Sequence, residues 1–152
     1  RKKSYDFRCL NTFLFNNTEL ILFCILQLMD NNSIFYLVDD DETSNFISEY
    51  LLHAQFPNAM IKKYTNPVEF VNYVAETKME ENAIILLDLN MPQMNGYELI
   101  NKVEKLGKHL EFIILTSSCN LIERDYSKQF KQVKAFLNKP LNAEKIHSFC
   151  SV

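Results

Sequence analysis

The sequence predicts an α/β domain built on a doubly wound parallel sheet, and three observations carry that expectation. From Ser33 onward short apolar runs recur, several of them continuous, as in strands covered on both faces. Segments of helical period separate them. Acids and other polar residues follow the runs directly, at the carboxyl ends where open α/β sheets bind ligands.

The first strand is expected at Ile34 to Val38, with others at Ala59 to Tyr64, Ala83 to Leu87, Phe112 to Leu115 and Val133 to Leu137. Five helical patterns alternate with them. Phe46, Ile47, Tyr50, Leu51 and Ala54 fall on one face of the first, and Val68, Val71, Val74 and Ala75 mark the second. Asn66 and Pro67 supply the N-cap and first-turn proline of that second helix. Tyr97, Ile100, Val103 and Leu106 stripe the third, which Gly107 stops with a left-handed residue. Leu121, Ile122, Tyr126 and Phe130 suggest a less regular fourth helix, and Ile146 with Phe149 a fifth. Strands alternating with helices in this way indicate the doubly wound class.

The size and composition fit one domain. A chain of 152 residues, 47% of them hydrophobic, can bury a sizeable core. A net charge of -3 argues against a general nucleic-acid binder, which needs a basic face to neutralise phosphates. Cys9, Cys24, Cys119 and Cys150 form no C-x-x-C pair and no Cys/His cluster of metal-binding spacing, which suggests a reducing, cytoplasmic chain. His53, His109 and His147 sit in no ligand or catalytic motif and read as ordinary surface residues.

Residues 1 to 28 differ in character. A basic start leads to an apolar run from Leu20 to Leu28, broken only by Gln27 and far short of a bilayer span. A secretory signal needs a small-residue cleavage site, and none of that type follows; Asp6 and Glu19 also count against it. The chain begins with Arg, and its first methionine is Met29, directly ahead of the first strand. The segment is expected to be upstream translation, with Met29 the true start and 29 to 152 the folded domain; a genuine appended helix or anchor is the alternative. Without it the balance is 12 basic against 17 acidic residues, and the domain is clearly acidic.

The strand ends carry the chemistry. Asp39 and Asp40 follow the first strand, Asp88 the third, Thr116 with Ser117 the fourth, and Lys139 the fifth. Two carboxylates about 4 Å apart repel by roughly 4 kcal/mol at an effective dielectric near 20, so such a cluster calls for a cation. Mg2+ favours one or two carboxylates together with water and phosphate oxygens. Lysine offers a point charge to a phosphate oxygen, and threonine a hydrogen bond. Together they suit phosphoryl transfer, with Asp88 as nucleophile. Each position alone has a plainer explanation: an Asp after a strand is usually a turn or cap residue, and Thr116-Ser117-Ser118 or Lys139-Pro140 is usually only a loop. Their register on one edge is what favours a site. Asp41 and Glu42 belong instead to the start of the first helix, where negative charge suits the helix dipole.

The motifs YLVDDD at 36 to 41, ILLDLNMPQMNGYEL at 85 to 99, ILTSS at 114 to 118 and FLNKPL at 136 to 141 resemble the receiver domain of two-component response regulators, over about residues 33 to 150. The resemblance implies a flavodoxin-like sheet of order 2-1-3-4-5. It implies that Asp88 is the phosphoacceptor and that Asp40 and Asp88 bind Mg2+ directly. Asp39 would assist through water, and the Asn90 backbone carbonyl would complete the protein ligands. Thr116 would bond the phosphoryl group, Lys139 would pair with it, and Thr116 with Phe136 would form the switch. Asn95 stands where family members more often have Asp, Ser117 takes a small-residue position, and Phe136 brings no tyrosine hydroxyl. Met91-Pro92 and Asn95-Gly96 are expected to shape the turn into the third helix, with Gly96 supplying unusual backbone angles.

The resemblance implies a stand-alone, chemotaxis-regulator-like switch rather than an enzyme acting on other molecules. Its phosphoryl donor would be a histidine kinase or phosphotransfer protein. Its output would be binding of a protein target, with homodimerisation through the fourth helix, fifth strand and fifth helix as one form. The enzyme alternative is a phosphatase of the haloacid-dehalogenase type, which also places an Asp nucleophile at a strand end but typically follows it two residues on with an acid; here Asn90 holds that place. An unphosphorylated, purely structural module is a third reading, which the intact set of site residues disfavours.

Overall fold

The computed structural model describes residues 33–80 and 83–150. The expectations for residues 1 to 28 lie outside them. Five strands form one parallel sheet: β1 (Ile34–Val38), β2 (Met60–Tyr64), β3 (Ala83–Leu87), β4 (Glu111–Thr116) and β5 (Val133–Asn138). Their order is β2-β1-β3-β4-β5, as the motifs imply. Between and after them run α1 (Glu42–Gln55), α2 (Pro67–Glu76), α3 (Gly96–Lys105), α4 (Leu121–Ser127) and α5 (Ala143–Cys150).

The central strands are apolar because helices cover both of their faces. On one face Tyr36, Val38, Ile85, Leu87 and Phe112 pack with Phe70 and Val74 of α2 and with Leu99, Ile100 and Val103 of α3. On the other, Phe35, Leu37, Leu86, Ile113 and Leu115 pack with Leu52 of α1 and with Ile146 and Phe149 of α5. The alternation of β1 between Phe35/Leu37 and Tyr36/Val38 feeds the two cores in turn. Among the described residues no helix is long and apolar enough to cross a membrane.

Local signals act at the helix ends as the sequence suggests. Asp41 caps α1 by accepting from the Thr43 N–H, and Asn66 caps α2 by accepting from that of Val68. Asn95 and Glu98 form a reciprocal capping box on α3. Gly107, at φ 69°, follows α3 in the left-handed region.

The expected face of α1 needs correction. Phe46 and Tyr50 are 63% and 69% exposed, and Ile47 and Ala54 are exposed as well, while Asn45, Ser48 and Leu52 turn inward. Leu51 alone of the expected stripe is half-buried against the core. The helix is rotated so that Asn45 meets the Asp39 carbonyl just past β1, as described below. In α2, Val74 is buried and Val71 half-buried, but Phe70 replaces the exposed Val68 and Ala75 as the main core contact. Leu106 lies at the exposed end of α3.

The fourth helix is the least embedded. Leu121, Ile122 and Tyr126 are exposed, and within α4 only Ser127 is buried. It is fastened from α3 by Tyr97. The Tyr97 hydroxyl donates to the Glu123 carbonyl at 2.6 Å, and its ring packs on Tyr126 at 4.9 Å and Phe130 at 5.2 Å between centroids. Burial, helped by the nearby Glu123, pushes the Tyr97 phenol up to about 12, so it remains a donor throughout the neutral range.

Candidate functional site

Parallel pairing sets the strand ends side by side. The Asp39 N–H donates to the Tyr64 carbonyl at 3.1 Å, the Asp88 N–H to that of Val38 at 2.9 Å, and the Lys139 N–H to that of Thr116 at 2.8 Å. Asp39, Asp88 and Lys139 thus leave the sheet one residue past their strands and Thr116 at the last residue of its own, on a backbone already fixed by its neighbour. Carboxylate oxygens of Asp39, Asp40 and Asp88 all lie within 4.8 Å of one another. Asp39 and Asp88 are each only 6% exposed, whereas Asp40 is open to solvent.

Lys139 reaches into this cluster from the loop after β5, where its bond to Pro140 is cis. Its Nζ stands 2.6 Å from Asp39 Oδ2 and 3.5 Å from Asp88 Oδ1. The lysine is therefore held mainly by Asp39, with Asp88 as a looser second partner. Burial raises the Asp88 carboxyl above its ordinary range; Lys139 pulls it back, and the neighbouring Asp39 charge pushes it up again. A carboxylate left partly uncompensated in this way is a good receiver for an electrophile or a cation.

Thr116 is fully buried at the end of β4. Its Oγ1 accepts from the Ser118 N–H at 3.1 Å and faces the Asn90 Nδ2 at 3.5 Å. Asn90 thus leans toward the hydroxyl across the site. An amide in that position cannot serve as the general acid that the phosphatase alternative requires. Phe136 is half-buried on β5, and Ser117 is exposed.

Gly96 acts by close approach rather than by unusual angles. It is the first residue of α3, and its N–H donates to the Leu89 carbonyl at 2.9 Å. A Cβ there would stand 2.7 Å from the Asp88 carbonyl oxygen. Absence of a side chain lets α3 start directly under the loop that carries Asp88 and Asn90.

Two supporting residues escape the motif reading. Ser44 Oγ donates to Asp39 Oδ2 at 2.6 Å, and Asn45 Nδ2 donates to the Asp39 carbonyl at 2.8 Å. The Asp41 N–H completes the shell with a bond to Asp39 Oδ1 at 3.1 Å. The signal was present: both side chains lie in the opening turns of the helix that follows the acids, close enough in sequence to turn back onto them.

Three hard oxygen donors gathered at one edge match the ligand preference of a divalent cation such as Mg2+, and the donor set contains no soft or nitrogen ligand. The cluster could hold such an ion.

A 2-1-3-4-5 sheet with carboxylates, a hydroxyl and a lysine along its carboxyl edge defines a class of signalling domain. Residues 35–150 match the response regulator receiver domain family, and the chain belongs to that family. Among curated proteins it is similar to the response regulator protein TmoT of Ectopseudomonas mendocina, at 26% identity over 123 residues, covering 78% of this chain and 51% of that protein. The chain spans about half the length, or less, of the curated relatives it matches. Among solved structures, a two-component response regulator from Cytophaga hutchinsonii superposes with a TM-score of 0.69 at 23% identity, covering 78% of this chain and 94% of that one. Chemotaxis protein CheY4 of Vibrio cholerae gives 0.64 at 19% identity, covering 78% and 96%. These structures share the fold described above.

Proposed function

We propose that the chain works as a phosphorylation-controlled switch with Asp88 as phosphoacceptor. The observation that carries this reading is the position of Lys139, whose ammonium stands between the buried carboxylates of Asp39 and Asp88, with the buried Thr116 ending the adjacent strand. A histidine kinase or phosphotransfer protein in the cytoplasm would present a phosphohistidine. An Asp88 carboxylate oxygen attacks phosphorus, the P–N bond breaks with its electron pair going to nitrogen, and the imidazole, which carries a proton on its other ring nitrogen, leaves neutral. Hydrolysis of the acyl phosphate later returns the carboxylate and inorganic phosphate.

Asp39, Asp40, Asp88 and the Asn90 carbonyl would hold Mg2+, which supplies positive charge to the phosphoryl oxygens when bound. Lys139 neutralises a further oxygen, and Thr116 donates its hydroxyl to another. Its Oγ1 at present accepts from the Ser118 N–H, and a rotation that carries the hydroxyl toward the phosphoryl group would stretch that contact and loosen the loop entering α4. Phe136, half-buried on the adjacent strand, then has room to turn inward, and the altered face of α4, β5 and α5 binds a protein target or a second copy of the chain.

The test is addition of beryllofluoride with Mg2+, followed by amide NMR. Shifts are expected at Asp88, Thr116 and the loop after β4 in the wild type and not in Asp88→Asn. A wild type that does not respond, or a variant that responds equally, overturns the reading.

A further inference from the structure

The contacts around Asp39 point to a residue that governs how Lys139 is released. In the structure Lys139 is committed to Asp39 Oδ2 at 2.6 Å and lies 3.5 Å from Asp88. To serve a phosphoryl group on Asp88 the ammonium has to lengthen its contact with Asp39. That takes the lysine away from Oδ2 of a carboxylate only 6% exposed, whose remaining partners within the chain are hydrogen-bond donors. A buried charge tolerates such a change only if other donors remain.

Ser44 is placed to be that donor. Its hydroxyl reaches the same oxygen that Lys139 holds, also at 2.6 Å, while the Asp41 N–H occupies the other oxygen. The hydroxyl acts in two ways with the same sign. It competes with the ammonium for Oδ2, and it continues to solvate Asp39 after the ammonium has moved. Asn45, by contrast, bonds the Asp39 backbone and fixes where the residue sits rather than the charge it carries.

We propose that Ser44 is a positioning residue for phosphoryl acceptance: by sharing Asp39 Oδ2 it sets how readily Lys139 passes from Asp39 to the phosphoryl group on Asp88. The inference rests on Asp88 being the phosphoacceptor. It concerns a half-buried serine in the first turn of α1, outside the set of acids, hydroxyl and lysine at the strand ends. With Ser44 replaced by alanine, Lys139 becomes the sole side-chain donor to that oxygen and stays there.

The experiment measures phosphorylation of the full chain by acetyl phosphate and Mg2+ in wild type, Ser44→Ala, Ser44→Thr and Ser44→Cys. Loss of a hydrogen bond to a charged group predicts that Ser44→Ala lowers the rate constant at saturating donor by about tenfold, with the half-saturating donor concentration unchanged. Ser44→Thr, which keeps the hydroxyl, restores the rate to within about twofold, and Ser44→Cys, a weak donor, falls between. Independently of activity, the Lys139 ammonium protons of the unphosphorylated, Mg2+-free protein exchange with water more slowly in Ser44→Ala, as read by lysine 15N NMR. Wild-type rates in Ser44→Ala and Ser44→Cys overturn the proposal, as does a folded Ser44→Thr as slow as Ser44→Ala. A wild type that never responds to beryllofluoride overturns the receiver reading instead, so the two failures are distinct.

Discussion

Helices α1 and α3 both start beside the acid cluster, yet they are seated by different forces. α3 turns Gly96, Leu99, Ile100 and Val103 into the core, much as its apolar period suggests. α1 turns Asn45 and Ser48 inward with Leu52 and leaves Phe46, Ile47 and Tyr50 outside. The difference is the partner each helix meets. α3 packs on apolar strand residues and, through Gly96, on the bare backbone of Asp88, so burial of hydrocarbon decides its rotation. α1 meets the carbonyl and carboxylate of Asp39, and a buried amide that satisfies a buried carbonyl decides its rotation instead.

Truncation should separate the two cases sharply. Leu99→Ala removes a fully buried side chain and is expected to cost about 3 kcal/mol by urea unfolding. Phe46→Ala, on the outward face of α1, is expected to stay within about 0.5 kcal/mol despite its larger ring. Equal losses from the two would mean that α1 is seated like α3. Asn45→Ala sharpens the point from the polar side: it leaves the Asp39 carbonyl without its amide and should cost about 2 kcal/mol, more than the exposed aromatic.

A smaller effect of opposite sign is expected at the cluster itself. The Asp88 carboxyl is raised in the folded protein above its ordinary value of 3.8, first by burial, so the native state binds its proton more tightly than the unfolded chain does. Stability from this group is therefore greatest at acid pH and is lost as pH rises through the window between the ordinary and the raised value. Asp88→Asn, which cannot ionise, should be more stable than the wild type at pH 7, and that advantage should fade as pH falls toward 3.8. Unfolding curves of the two proteins across that range, without divalent cation, check both sign and window.

The same contrast explains what could be seen in the sequence. Asp39, Asp88 and Lys139 were legible because an apolar strand announces its own end, and parallel strands deliver those ends to a common edge. Gly107 and the cap Asn66 were legible because their conformations depend on near neighbours alone, whereas Asp41 was placed at the helix start for its charge and not for the cap it forms. The seat of α1 was not. Phe46, Ile47, Tyr50 and Leu51 mimic a buried stripe, and nothing local reveals that Asn45 will find the Asp39 carbonyl. Gly96 was singled out for the wrong reason, since a close approach to Asp88 is a property of packing that no local pattern displays.

The attachment of α4 has a consequence for motion. One phenolic hydrogen bond from Tyr97 and the ring contacts among Tyr97, Tyr126 and Phe130 tie it down, while only Ser127 of its own residues is buried. Release of that phenol would loosen the helix without uncovering the hydrocarbon between the strands and α2 or α3. Amide hydrogens of α4 therefore exchange through a subglobal opening of low free energy, while those of β1 and β3 wait for global unfolding. The segment next to Thr116 can visit other arrangements many times within the lifetime of an otherwise intact fold.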